Sequence, residues 1–408
     1  MLLRQRCGQS SIRQCAGSRA LSLVTCVLAG FLAACTSEQV IHANAPPASR
    51  AEHPPVEQRL LDVAIAVFDP GLPEEGKSRE NSESYREIRR AEARYLPYTL
   101  KKTLDQGGQW GAVRLVPDSG RSVAVLVTAE IVESNGAELV LDVEIRDATG
   151  RIWLSRQYSA LASKYAYLDE HFRENDPFQA VYNAIANDML TAREKLADEV
   201  LETTRRVAEL RFAGDLAPDV FGDYFAEGAT GEYSLHRLPA GDDPMLQRAR
   251  SIRQRDLMLL DILDGYYALF YRDMKPAYRE WLKTNYEESI ELKKLQRSAR
   301  NRMGMGAAAV VAGVAGGIKS DSSAGQVVSL ATAAGGATVF ASGVKKHAEA
   351  EIHVEALREL NTSFEADLKP KVIEVEGRTV TLTGSAEAQY ENWRHLLRQI
   401  HIQETGLP

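Results

Sequence analysis

Residues 138–161, ELVLDVEIRDATGRIWLSRQYSAL, decide the fold. Leu139, Leu141, Val143 and Ile145 alternate with Val140, Asp142, Glu144 and Arg146, the period-two pattern of a strand with one buried face and one wet face. Thr149-Gly150 then turns the chain into a second strand, 152–161. Upstream, Asn135-Gly136 is the short-range signal of a two-residue hairpin, here following a strand over 123–132. Three antiparallel strands are therefore expected in succession.

Further towards the N-terminus, LDVAIAVF (61–68) is a nearly continuous apolar run of β-branched character closed by Asp69-Pro70-Gly71. It suits a strand buried on both faces. The spacing of Ile88, Tyr95, Leu96, Leu100 and Leu104 predicts a helix over about 84–106, ended by Gly107-Gly108, and a strand follows over 110–116. With a helix from 177 to beyond 201, residues 56–205 form an α/β domain with a mostly antiparallel sheet, and the fold class is α+β.

Downstream, 206–302 reads mainly as helix. Leu257, Leu260, Leu263, Tyr267, Phe270 and Met274 share one face, Pro276 is expected to break or restart the helix, and Tyr278, Trp281, Leu282, Tyr286, Ile290 and Leu295 continue the face. The aromatic residues between Phe221 and Tyr286 are expected to fill a helical core. Residues 303–344 are the least usual stretch: MGMGAAAVVAGVAGGI and GQVVSLATAAGGATVFASGV flank KSDSSA. Ala309, Gly313 and Gly317 recur every four residues, as do Gly325, Ser329 and Ala333, with Thr332 and Gly336 beside them. Small residues at that spacing let two helices approach closely, the glycine-zipper arrangement. Each glycine costs a helix about 1 kcal/mol relative to alanine, so the series calls for close packing in return. Lys293, Lys294, Arg297, Arg300 and Arg302 precede the stretch and Lys345 and Lys346 follow it. A helical hairpin with basic ends is expected, packed in a protein core, inserted in a membrane, or left as a loop.

Residues 345–408 predict a helix to about 368, a β-hairpin around Glu376-Gly377, and a helix capped by Ser385 and carrying Tyr390, Trp393, Leu396, Leu397 and Ile400. A last short strand over 400–403 would close the sheet.

Several of these segments resemble known families. The residues AIAVFD (64–69), WGAVRLVP (110–117) and VLVTAEIVES (125–134), together with the hairpin above, resemble the α/β domain shared by the N-terminal part of the Tol-system periplasmic protein, the lipoprotein activators of penicillin-binding proteins and the curli-secretion lipoprotein. That resemblance implies protein contact and assembly in the cell envelope. The helix, strand, strand, helix order around VEGRTVTLTGS (375–385) resembles the small BON module.

All four cysteines, Cys7, Cys15, Cys26 and Cys35, fall in the first 35 positions, so the rest of the chain has neither disulfides nor thiolate metal sites. Arginines precede an apolar run over 21–32, and Leu32-Ala33-Ala34-Cys35 follows. The pattern resembles a bacterial lipoprotein signal peptide (1–34) with its lipobox, and Cys35 would be the acylated first residue, palmitate among the chains it takes. Thr36 rather than Asp after it implies forwarding to the outer membrane. Each buried CH₂ of an acyl chain contributes about 0.8 kcal/mol, so two or three chains make a lasting anchor. Residues 35–55, rich in Pro and Ala, are expected to be a flexible tether in which His42 and His53 are solvated.

The chain has a net charge of −7, and its first 34 residues hold Arg4, Arg6, Arg13 and Arg19 and no acid, which argues against a nucleic-acid partner. GxSxG, HExxH and GxxxxGK[ST] motifs are absent. Asp256, Asp261 and Asp264 lie on one helical segment near Arg253 and Arg255, and because Asp256 and Asp261 face different sides the three are expected to be ion-paired or solvated. His347 with Glu351 and Glu349 with His353 stand at i, i+4, a spacing that suits either helix pairing or two metal ligands without a third. No cofactor or metal is expected. The expected role is non-enzymatic: envelope assembly or maintenance from the periplasmic side of the outer membrane, through an envelope protein partner, lipid, or sister subunits in a homo-oligomer. The alternative is an oligomeric export component that inserts the hairpin. An enzyme using Asp261, Asp264 and His353 is a distant third.

Overall fold

The computed structural model describes residues 38–41, 46–52, 55–72, 83–118, 122–168, 176–229, 231–316, 355–356, 358–359, 362, 371–375, 378–382 and 384–406. The protein is α+β. In the sheet, β1 (Glu38–Ile41), β2 (Val63–Ala66), β3 (Val113–Val116), β4 (Val125–Ser134), β5 (Glu138–Asp147) and β6 (Ile152–Leu161) lie in the order β1-β6-β5-β4-β2-β3. β2 runs parallel to both β3 and β4, whereas β4, β5 and β6 are antiparallel. The alternation in β5 comes out as read: Leu139, Leu141, Val143 and Ile145 are buried and their neighbours are half-exposed. The β4–β5 connection is Asn135-Gly136-Ala137, one residue longer than expected; Asn135 N donates to Glu138 O and its Oδ1 accepts from both Ala137 N and Glu138 N.

Helix α1 (Glu83–Gly107) links β2 to β3 and contains Pro97, which has no N–H to offer Ala93. The freed Ala93 carbonyl instead accepts from Phe68 N at 2.9 Å, so the proline ties the end of the first strand run to the helix. The expected single helix beyond 177 is two, α2 (Gln179–Glu194) and α3 (Asp198–Leu216), separated at 195–197. After the short α4 (Pro218–Phe221), residues read as helix form a small hairpin, β7 (Phe225–Glu227) with β8 (Tyr233–Leu235).

Helix α5 (Pro244–Gly316) then runs for 73 residues, about 110 Å. Pro276 does not break it, contrary to the sequence reading. Pro276 and Arg272 lie on the exposed side, where water can satisfy the carbonyl that the proline leaves unpaired. The helix also passes Met303 without a break, so the first arm of the expected hairpin is the end of α5. Leu260, Leu263, Tyr267, Phe270, Met274, Tyr278, Trp281 and Leu282 are buried in the same cluster as the sheet's inner face. Glu92 of α1 fixes the register. Fully buried, it accepts from Ser134 Oγ at 2.5 Å and Tyr278 Oη at 2.8 Å, with Arg89 Nε 4.0 Å away. Burial pushes its carboxyl up, and Arg89 with the two hydroxyls opposes that. Gly136, at φ +73°, lets the β4–β5 turn sit against α5: a Cβ there would lie 2.3 Å from the Leu282 carbonyl oxygen.

The C-terminal part is β9 (Lys371–Val375) antiparallel to β10 (Arg378–Leu382), then α6 (Ala386–Thr405). Ser385 caps α6 by accepting from Ala388 N, as expected. Residues 400–403 are helical, not a closing strand, which removes one element of the BON resemblance. Tyr390, Trp393, Leu397 and Ile400 belong to the main core, and Tyr390 Oη donates to Asp256 of α5 at 3.2 Å. The tether also departs from its reading over 46–52: Ser49 N donates to Asn187 Oδ1 at 2.8 Å and Ala51 N to Gly107 O at 2.9 Å, so this strap is docked on the body.

Candidate functional site

Cys35, Gly317, Gly325, Ser329, Ala333, Gly336, Lys345, Lys346, His347, Glu349, Glu351 and His353 lie outside the described residues. Ala309, Gly313 and the basic residues Lys293, Lys294, Arg297, Arg300 and Arg302 are on the backbone of α5. Among the described residues no group of three or more His, Cys, Asp or Glu side chains is placed to hold a metal ion.

The three aspartates of α5 have structural work. β3 is an edge strand of the sheet, and an uncovered edge exposes donors and acceptors that invite mispairing. Asp264 Oδ1 accepts from Leu115 N at 2.8 Å, while Lys101 Nζ of α1 donates to Val113 O at 2.5 Å and stands 3.5 Å from Asp264 Oδ2 and 3.0 Å from Asp105 Oδ2. Arg114 Nε pairs with Asp261 Oδ1 at 2.6 Å. Burial raises the Asp264 carboxyl, against the Leu115 N–H and Lys101. Burial alone would lower Lys101, but Asp264 and Asp105 outweigh it and hold the ammonium charged. Both cations at this edge are paired with carboxylates.

One face farther along the same two helices, they enclose a cavity of about 350 Å³. Its walls come from distant parts of the chain: Pro47, Ala48 and Arg50 of the strap; Tyr95, Thr99, Lys102 and Thr103 of α1; Asp176 before α2; and Tyr271, Lys275 and Arg279 of α5. The strap wall is fixed by the Ser49 bond and by Asn187 Nδ2 donating to Pro47 O at 3.3 Å. Tyr95 and Tyr271 stack with centroids 4.6 Å apart and make an aromatic floor, and Lys102 Nζ lies 4.9 Å from the Tyr271 ring centre. Gln179 Nε2 is occupied by Thr103 Oγ1 at 2.9 Å and Asn183 Oδ1 at 3.0 Å.

Among the described residues lining the cavity, four side chains are cationic and one, Asp176, is acidic. Asp176 Oδ1 accepts from Phe178 N at 2.8 Å and its carbonyl from Gln179 N, which orders the start of α2. Burial pushes its carboxyl up to about 6, against the Phe178 N–H, Arg279, Lys275 and Lys102. The opposite shift is seen at Lys275, lowered first by burial and then by Arg279 and Lys102, with Asp176 only partly offsetting them. Among the described residues the cavity lining therefore carries an excess of positive charge. Sequence reasoning missed it, because its walls are separated by up to some two hundred positions. One local trace exists: Lys275 and Arg279 stand at i, i+4, where like charges destabilise a helix by a few tenths of a kcal/mol, about 0.2–0.5.

Comparison with protein-family models, with curated proteins and with solved structures gave no match to this chain.

Proposed function

We propose that the protein is a lipid-anchored component of the bacterial outer membrane, facing the periplasm, that acts in envelope assembly or maintenance by binding rather than by turnover. The lipobox resemblance at Cys35 supports the anchor, and the resemblance of the α/β domain to envelope-assembly proteins supports the setting. The observation that carries the binding role is the cavity wall formed by Pro47, Ala48 and Arg50. Only ten residues separate Cys35 from Pro46, where the strap begins, so an acylated Cys35 keeps the cavity within about 40 Å of chain from the lipid. Binding at that surface is then directed at envelope components, protein or lipid.

Replacing Cys35 with Ser tests the anchor. The variant is expected to leave the membrane fraction and to lose incorporation of labelled palmitate; unchanged fractionation with unchanged labelling overturns the proposal. A second reading, an oligomeric export component, is favoured by one feature, the unbroken course of α5 through Met303 to Gly316 with Ala309 and Gly313 on it. Size in detergent separates the two: a stable ring supports export and a monomer supports the anchored binding protein.

A further inference from the structure

We infer that the cavity between α1, α5 and the 47–50 strap is a binding site for a phosphate group, with Lys102 and Lys275 as its direct ligands and Arg50 at its rim. This rests on the reading of the cavity as a binding site and not on the lipid anchor. Three features of the site point to an anion. The first is the surplus of charge: among the described residues lining the cavity, Arg50, Lys102 and Lys275 share one carboxylate, Asp176. Lys102 and Lys275 come from two helices held together by the Glu92–Tyr278 bond and the Lys101–Asp264 pair, so the helices cannot move apart to relieve the repulsion.

The second is what the polar neighbours can offer. Thr99 Oγ1 donates back to Tyr95 O at 3.4 Å and Thr103 Oγ1 to Thr99 O at 3.0 Å, and Gln179 Nε2 is already committed. The ammonium groups of Lys102 and Lys275 also line the cavity and can bind phosphate as point charges through charge-assisted hydrogen bonds. The third is shape: about 350 Å³ lies within the roughly 300–1,000 Å³ of small-ligand sites and leaves room for a group esterified to the phosphate, to lie on the Tyr95–Tyr271 floor.

Asp176 tunes the site. The charged groups acting on it are Lys102 from α1 and Lys275 and Arg279 from α5, with Arg50 of the strap lining the same cavity; Tyr95, Tyr182 and Tyr278 nearby are all raised well above the usual phenol range and stay neutral. When its carboxyl is protonated the cavity gains one positive charge, and an anion binds more tightly. Phosphate itself titrates in the same range, so sulfate, whose charge is fixed, isolates this effect.

The test is calorimetric titration of the full-length acylated protein in neutral detergent with inorganic phosphate. Saturable binding is expected, with affinity reduced at least tenfold in Lys275→Ala and several-fold in Lys102→Ala, and retained within about threefold in Lys275→Arg. Sulfate affinity is expected to fall several-fold from pH 5 to pH 7.5 in the wild type and to stay level in Asp176→Asn. Short-chain phosphatidic acid that displaces phosphate where short-chain phosphatidylcholine does not identifies a lipid headgroup as the source. Phosphate binding that neither lipid displaces identifies a soluble phosphate. An absence of phosphate binding at millimolar concentration, or binding that Lys275→Ala leaves unchanged in a protein with wild-type melting behaviour, overturns the inference. Membrane fractionation through Cys35 is unaffected by either result, so failure of the ligand assignment and failure of the anchor are separately visible.

Discussion

Lys101 and Lys102 are neighbours on α1, yet they belong to opposite kinds of site. Lys101 faces the β3 edge, where Asp264, Asp105 and the Val113 carbonyl surround its ammonium. Lys102 faces the cavity, where it joins Lys275 and Arg279 around Asp176, the one acidic side chain among the described lining residues. α5 repeats the contrast three turns apart: Asp264 completes the edge, and Lys275 adds to the surplus. Where charges are paired and hydrogen-bonded, they close the fold; where one sign is in excess and half-buried, the protein carries an electrostatic cost that a bound anion would relieve.

Breaking the matched side has the largest expected effect. Asp264→Ala strands Leu115 N–H and leaves Lys101 without its main counter-charge, and since the Asp264 side chain is only 19% exposed, stability is expected to fall by about 2–3 kcal/mol. Urea denaturation checks this, and phosphate affinity is expected to be kept. The unmatched side gives the next effect. The Asp176 carboxyl titrates at about 6 in the folded protein and near the ordinary 3.8 when unfolded, so folding binds a proton there. Stability tied to the protonated form is present below pH 4 and is lost as pH rises through 6, on the order of 2 kcal/mol. Comparing urea midpoints at pH 4 and pH 7, the wild type is expected to lose more stability than Asp176→Asn; equal losses remove Asp176 from the account. The smallest effect belongs to the exposed part of the edge. The Asp261 side chain is 58% exposed, and Asp261→Ala is expected to change stability by less than about 1 kcal/mol, more at low salt than at high, in the same denaturation assay.

The two sides also differ in how far the sequence reveals them. The strand alternation around β5 is a local, period-two signal enforced by burial of one face, and the structure follows it residue by residue. Local signals failed where tertiary surroundings reverse them. Pro276 continues a helix because it lies on the exposed side, Ile400 joins a helical core rather than a strand, and residues 46–52 dock because Asn187 and Gly107 offer partners. Pairing of Asp261 and Asp264 was readable as ion pairing but not as edge protection, since β3 lies some 150 positions away. The cavity needs four segments brought together, and only the like charges at 275 and 279 hinted at it.

The adjacent lysines supply the most direct test of the division between matched and surplus charge. Lys101→Met and Lys102→Met are compared for urea stability and for phosphate affinity under one set of conditions. The expected result is a crossed one: Lys101→Met loses stability and keeps phosphate affinity, whereas Lys102→Met keeps stability and loses affinity several-fold. If both variants lose the same property to the same extent, the two regions are not different in kind, and the surplus of charge in the cavity has no binding role.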